Sequence, residues 1–196
     1  MHGAQGGTLN RPAAAVVAGA VLWGVGISPA QRVYLRQDPA ARLAILDKSG
    51  WRWVAGQHLA AVGTAVVPAA FAGLAAGLPH GKARKLAGLA AASLLAGAPL
   101  FVWCLADRAS DLERFAHRRG ATWPFLAYSW LHVAGLSALA GALACLPAPR
   151  AAVIAAAVSV PVFGTVLAIN KDIPPFVFYA VEAGVAASLL RRQTGQ

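Results

Sequence analysis

The sequence predicts an all-α membrane protein, a six-transmembrane-helix bundle with both termini on the same side of the membrane. Apolar residues make up 58% of the 196 residues, charged residues make up 12%, and the mean hydropathy is +0.59, unlike the averages of soluble domains. The apolar residues also fall into six continuous stretches. Because a backbone in lipid must satisfy its own N–H and C=O groups, continuous stretches indicate helices, whereas a β-barrel needs alternating segments.

The predicted spans lie in a single integral membrane domain, residues 1–196. They cover residues 13–30, 54–78, 86–106, 123–146, 151–169 and 174–190. About 20 helical residues cross the hydrocarbon layer, so each stretch is long enough or nearly so. Alternate threading places both termini on one side, called face A here. The loops 31–53, 107–122 and 170–173 then lie on the other side, face B.

Each of the two longer face-B loops predicts a short interfacial helix. In the first, Asp38 and Pro39 suit an N-cap and a first turn, and Gly50 suits a stop. The residues between them mix apolar and charged side chains, which fits a helix lying among lipid headgroups. In the second, Ser110-x-x-Glu113 has the form of a capping box.

The basic residues indicate contact with a membrane surface. The formal net charge is +10, but the charges are spread over short loops and termini without a long stripe for nucleic acid. We therefore expect membrane lipids as partners and no nucleic acid. Face B carries more Lys and Arg, which favours a cytoplasmic face B, whereas the compact basic run 82–85 on face A favours the reverse.

We expect a multi-pass protein of the cell membrane, in the bacterial inner (plasma) membrane. V-Y-L-R-x-D-P-A at 33–40, together with P-P-F-V-F-Y at 174–179, resembles small membrane proteins of high-GC bacteria. The resemblance covers two short stretches and implies no activity.

Glu182 and His132 are the main candidates for a functional site. They lie about eight and nine residues into their spans from face B, so at 1.5 Å per residue both are about 12 Å deep. A carboxylate at that depth is costly to leave charged and unpaired, and it usually faces a partner or a wet cavity. Matching depths therefore predict an acid–base pair, provided that the two helices are neighbours.

Other polar and aromatic residues also fall in the half of the bundle nearer face B. The predicted catalytic set is Glu182, His132, His58 and Asp107. The predicted substrate-binding set is Trp130, Phe125, Tyr128, Phe176, Tyr179, Gln57 and Asn170. Each has a structural alternative: the Glu182–His132 pair can lock helix packing, His58 can contact headgroups, and Asp107 can form an interfacial ion pair.

The favoured function is a membrane-embedded acid–base enzyme, of isomerase or cyclase type, or a binder of a lipophilic small molecule. Its pocket is expected to open toward face B, since such sites are mostly apolar with few polar groups. The alternative is a small proton-coupled transporter that uses Glu182, assembles as a homodimer, and has helices broken at Pro68, Pro99 and Pro161. A second alternative is a structural subunit without a site.

We expect no cofactor and no metal. His58 and His132 are offset in depth by about 7 Å, which is awkward for opposed haem ligands. The sequence contains neither a haem-attachment motif nor metal-ligand spacing.

Overall fold

The computed structural model describes the backbone of residues 3–194 and the side chains of residues 9–29 and 32–191. The described chain is helical almost throughout (87%) and contains no strand in that range. Its elements are α1 (Gly3–Ile27), a 3₁₀ helix (Ser28–Leu35), α2 (Pro39–Gly77), α3 (Lys82–Ser110), α4 (Leu112–Ala116), α5 (Trp123–Ala144), α6 (Arg150–Asn170) and α7 (Phe176–Thr194). The predicted all-α class is confirmed.

Within residues 3–194, five helices are long and apolar enough to cross a membrane, which indicates a multi-pass membrane protein. They are Leu9–Ile27 of α1 and the whole of α2, α3, α5 and α6. Helix α7 has 19 residues but is less apolar, because it carries Glu182, Arg191 and Arg192.

The long helices form a closed cycle of neighbours. Helix α1 packs against α2 and α7, α2 against α3, α3 against α5, α5 against α6, and α6 against α7. Their buried faces share one core, which includes Trp23 of α1, Phe71 of α2, Leu94 of α3, Leu136 of α5 and Val185 of α7. Side chains from α2, α5 and α7 therefore meet at the centre, although α6 lies between α5 and α7.

Helices α1 and α2 are antiparallel and approach closely along a seam of glycines. Gly26 lies against Gly56, and Gly19 lies against Gly63. The two glycines of each helix are seven residues apart, which places them on one face, two turns from each other. A Cβ added at Gly63 would lie 2.7 Å from the backbone nitrogen of Trp23. Small residues thus allow the backbone contact that stabilises pairs of membrane helices.

The first face-B loop begins and breaks where the sequence predicts. The Asp38 carboxylate accepts a hydrogen bond from the backbone N–H of Ala41 at 2.8 Å, and Pro39 opens α2. Gly50 has a φ of +45° and interrupts the helix, a conformation that favours glycine. Residues 39–49 are therefore a separate helical segment, which precedes the long apolar part of α2.

The second loop is capped differently from the prediction. The N-cap of α4 is Asp111, whose carboxylate accepts a hydrogen bond from the backbone N–H of Arg114 at 2.8 Å. Ser110 ends α3, and its hydroxyl donates to the carbonyl of Asp107. The predicted capping box from Ser110 to Glu113 is wrong, because α3 extends through Ser110 and the following Asp is itself a good N-cap.

The long helices run through their prolines. Pro68, Pro99 and Pro161 lie inside α2, α3 and α6, and the non-helical backbone of α2 is at Gly50. Neighbouring helices and local adjustments make proline tolerable in membrane helices. The predicted breaks at these three prolines are therefore wrong.

A small subdomain covers the face-B end of α2 and α3. It consists of the 3₁₀ helix, residues 39–49 and α4, and we call it the face-B cap. Val33, Leu46, Trp53 and Ala116 form its buried core. Trp53 itself belongs to α2 beyond Gly50, and its indole N–H donates to the carbonyl of Arg108 at 3.1 Å, which joins the surface under the cap to the end of α3.

Candidate functional site

Glu182 of α7 and His132 of α5 meet at the centre of the bundle. Glu182 is 0% exposed and His132 is 3% exposed. His132 Nε2 lies 3.7 Å from Glu182 Oε1, which is electrostatic contact beyond hydrogen-bond distance. A neutral acid beside a neutral imidazole and a carboxylate beside an imidazolium are both neutral overall, so either arrangement avoids an uncompensated charge in the core.

The second ring nitrogen of His132 fixes the orientation of the imidazole. Nδ1 lies 3.1 Å from the backbone carbonyl oxygen of Tyr128. Because a carbonyl only accepts hydrogen bonds, Nδ1 must donate. In the neutral imidazole, Nε2 then carries the lone pair, and it faces Glu182. The geometry therefore provides a proton acceptor on His132 opposite a carboxyl group.

A chain of buried hydroxyl groups joins α5, α7 and α2 beside this pair. The Tyr128 hydroxyl donates to the Tyr179 hydroxyl at 3.2 Å, and the Tyr179 hydroxyl lies 2.9 Å from Thr64 Oγ1. Thr64 Oγ1 donates to the carbonyl of Ala60 at 2.9 Å. Since each hydroxyl has one proton, Tyr179 must donate to Thr64. The chain thus runs in one direction and leaves no hydroxyl donor unused, which suits a structural brace.

Glu182 and Gln57, by contrast, have polar atoms without partners. Neither oxygen of Glu182 makes a hydrogen bond among the described residues, and neither the oxygen nor the nitrogen of the Gln57 amide does so. Gln57 is 0% exposed and precedes Thr64 by seven residues, so both lie on the inner face of α2. An unsatisfied buried polar group costs about 1–3 kcal/mol. Such groups mark where a ligand or water would be bound.

Aromatic rings enclose the pair and exclude bulk solvent. The ring of His132 lies 4.1 Å from the ring of Tyr128 and 5.0 Å from that of Phe178, centroid to centroid. Trp23 stacks on Tyr179 at 4.5 Å. On the face-B side, Phe101 stacks on Tyr128 at 4.3 Å. Electrostatic interactions are stronger inside such an apolar wall than in water.

The structure brings together only part of the predicted site. Tyr128 and Tyr179 lie beside His132, and half-buried Phe125 contacts the ring of Tyr128. Gln57 is buried on the inner face of α2, two turns from Thr64 toward face B. The sequence does not assign Trp23 or Thr64 to the site. One signal could have found Thr64, because it is two turns from Gln57. Phe178, which the sequence places among the possible lining residues of the pocket, contacts the ring of His132.

The other predicted site residues lie outside this cluster. His58 is exposed, because it follows the buried Gln57 by one position and points about 100° around the helix from it. Trp130 and Phe176 are 43% and 55% exposed, and Asn170 is exposed at the end of α6. Asp107 is half-buried, and its partner is Arg114 at 3.2 Å, as in the structural alternative of an interfacial ion pair.

An apolar cavity of about 80 Å³ lies on the face-A side of the pair. Its wall consists of Leu9, Phe71, Leu74, Leu78, Ala87, Leu139, Ala142, Leu143, Leu146, Val185, Ala186 and Leu189. Ala186 is one helical turn beyond Glu182, and Leu139 is two turns beyond His132. The cavity thus continues the inner faces that carry the pair. It extends to Leu78 and Leu146, at the face-A ends of α2 and α5.

In the part of the chain that the structure describes, no three His, Cys, Asp or Glu side chains come together as a metal site. Comparison with protein families, characterised proteins and solved structures finds no match.

Proposed function

We propose that the protein is a membrane-embedded acid–base enzyme or binder that acts on a small lipophilic molecule. The apolar part of the molecule occupies the face-A cavity, and its polar or reactive part meets Glu182 and His132. The main support for this is the position of the cavity relative to Glu182. An apolar cavity begins one helical turn from a buried carboxyl group that makes no hydrogen bond with any described residue.

The composition of this region supports a ligand site. Pockets for small molecules are mostly apolar, with a few convergent polar groups that set orientation. Here the cavity wall is entirely apolar, and the polar groups gather at one end. A cavity of about 150 Å³ binds benzene, and this one is about 80 Å³. The ligand part that enters must therefore be slender, such as an alkyl or isoprenoid chain that leaves the cavity between Leu78 and Leu146.

The pair supplies both halves of a proton transfer. Moving a double bond along a chain requires one proton to be added at one carbon and another to be removed from a second carbon. Protonated Glu182 can give the first proton, and His132 Nε2 can accept the second. Proton transfer by positioned side chains needs no redox cofactor. The acid and base return to their starting state when the proton on His132 passes back to Glu182, which requires the 3.7 Å gap to close or a water molecule to bridge it.

The proposal includes the membrane topology. Helix α7 closes the cycle between α1 and α6, and its 19 residues span about 28 Å at 1.5 Å per residue. With α7 as the sixth span, both termini lie at face A. The segment 39–49 and α4 then lie in the headgroup layer of face B, with the protein placed in a bacterial inner membrane.

Proton-coupled transport through Glu182 is a second candidate, and Gln57 favours it. Its unpartnered amide lies two turns from Thr64 toward face B and is suited to hold water on a path to Glu182. The unbroken helices and the apolar wall on the face-A side favour the binder. If the protein transports, proton uptake by proteoliposomes will depend on Glu182.

The central experiment identifies the bound ligand and then tests whether the protein exchanges its protons. Lipophilic molecules that co-purify with the protein are identified by mass spectrometry and then incubated with fresh protein in deuterated water. We expect Glu182→Gln to abolish deuterium incorporation at carbon. The matched control is Ser188→Ala on the same helix, because that hydroxyl bonds only to its own helix, at the carbonyl of Val185. Equal incorporation by both variants would contradict the acid–base role.

A further inference from the structure

A second polar centre lies beside the face-B cap, where the guanidinium groups of Arg42 and Arg108 lie next to the Phe115 ring and Arg118 contacts the carbonyl of the same residue. The Arg42 guanidinium is centred 5.1 Å from the Phe115 ring, and Nη2 of Arg42 donates to the Phe115 carbonyl at 3.1 Å. Arg108, at the end of α3, lies 5.6 Å from the same ring. Just after α4, the backbone N–H of Arg118 donates to the same Phe115 carbonyl at 3.1 Å. Residues 39–49, the end of α3 and the chain after α4 thus each place one arginine next to Phe115.

None of these three arginines forms an ion pair with a described residue. Arg42 is 3% exposed, and its Nε is buried without a hydrogen-bond partner. In the described chain, no carboxylate forms an ion pair with Arg42, Arg108 or Arg118; the carboxylate of Asp107 pairs with Arg114 instead. Burial and then the charge of Arg118 lower the pKa of Arg42, and Arg108 adds to this. A buried cation beside like charges is costly unless an anion joins it.

We propose that Arg42, Arg108 and Arg118 form a binding site for a phosphate group. A guanidinium presents five N–H donors in a planar fork that matches phosphate oxygens, and Arg42 uses only Nη2 within the described chain. The site lies at the membrane surface, so the phosphate belongs to a lipid headgroup or is free phosphate from solution. Both present the same oxyanion.

The test uses the full-length protein in a phosphate-free neutral detergent. The thermal midpoint Tm is measured at constant ionic strength while one of two probes is titrated, inorganic phosphate or phosphatidic acid in mixed micelles. Chloride serves as the reference anion. We expect Tm to rise with at least one phosphate probe and not with chloride. A rise with inorganic phosphate alone assigns the site to free phosphate, and a rise with phosphatidic acid alone assigns it to a lipid.

The variants separate a built site from general attraction of anions. Arg118→Gln removes an exposed member of the cluster, so folding should be retained, and we expect about fivefold weaker binding. Arg42→Lys keeps the charge but loses the fork, and we expect binding to weaken about tenfold or more. Arg119→Gln is the matched control, since Arg119 is exposed, adjacent to Arg118 and carries the same charge. The proposal is overturned if neither phosphate probe raises Tm, or if Arg118→Gln and Arg119→Gln weaken binding equally.

Discussion

Filling the face-A cavity should remove ligand binding while leaving the fold intact or more stable. Ala186 is 1% exposed and lines the cavity one turn from Glu182. In Ala186→Leu, the larger side chain projects into the space that we assign to the apolar part of the ligand. The matched control is Ala180→Leu, because Ala180 lies on the same helix but is exposed.

The structure sets the size of the stability effect. An empty cavity of about 80 Å³, at about 24 cal/mol per Å³, corresponds to about 2 kcal/mol. We therefore expect Ala186→Leu to raise the free energy of unfolding by up to about 2 kcal/mol. Strain from the larger side chain, typically about 1–3 kcal/mol in a tight core, reduces or offsets this gain. Ala180→Leu should change it by less than about 0.5 kcal/mol.

Binding is measured with a probe that matches the proposed ligand in outline. A series of linear alcohols carries one hydroxyl for Glu182 and an alkyl chain for the cavity. Their effect on Tm gives the affinity of each variant, because a ligand that binds only the folded state stabilises it by mass action. We expect the wild-type protein and Ala180→Leu to respond alike, and Ala186→Leu to lose the response.

Two results would refute this reasoning. The first is an unchanged response to the alcohols in Ala186→Leu, which would place the ligand elsewhere. The second is equal loss in Ala180→Leu, which would point to a general effect of α7. Should Ala186→Leu fail to fold, Ala142→Leu fills the same cavity from α5 and carries the test.

Three further predictions concern the centre of the bundle and the glycine seam, and each is read from reversible unfolding in mixed micelles. Glu182→Met should raise the free energy of unfolding by about 1–3 kcal/mol, because it removes an unpartnered buried carboxyl group; a decrease would show that the pair with His132 stabilises the fold. Tyr179→Phe should lower the free energy of unfolding by about 1 kcal/mol, because it breaks the hydroxyl chain. The control Tyr34→Phe, at a residue 40% exposed, should change it little, and equal effects would contradict the brace. Gly56→Ala should cost about 2–3 kcal/mol, because a Cβ would overlap the Gly26 backbone. Gly88→Ala, with no atom within 4 Å of the added Cβ, should be neutral or gain up to about 1 kcal/mol, and a similar loss in both variants would argue against the seam.

The fold class and the depth of the central pair follow from counting along the sequence. Continuous apolar runs indicate membrane helices whatever their packing, and a rise of 1.5 Å per residue places Glu182 and His132 at one level. Neither the helical class nor the depth of the pair depends on which helices are neighbours. The Asp38 cap and the Gly50 break are equally local, since each depends on residues within one turn.

Side-chain direction could not be predicted in the same way. A helix that faces lipid on one side and an apolar core on the other has little amphipathic pattern, so hydropathy does not show its inner face. The sequence therefore places His58 and Trp130 in the site although both are exposed, and it gives no sign of the buried Trp23. The cavity beside Ala186 lies between α2, α3, α5 and α7, and Leu9 of α1 completes its wall. Because it is formed by gaps between helices, it leaves no signature in the sequence of any one helix.

The direction of the hydroxyl chain limits how protons can move through the bundle. Its last proton is held by a backbone carbonyl of α2, which cannot pass a proton onward, and reversing the chain would require all three hydroxyl groups to turn together in a packed interior. The brace beside Glu182 is therefore a poor conductor of protons. A proton on Glu182 therefore has no exit through Tyr179 and Thr64.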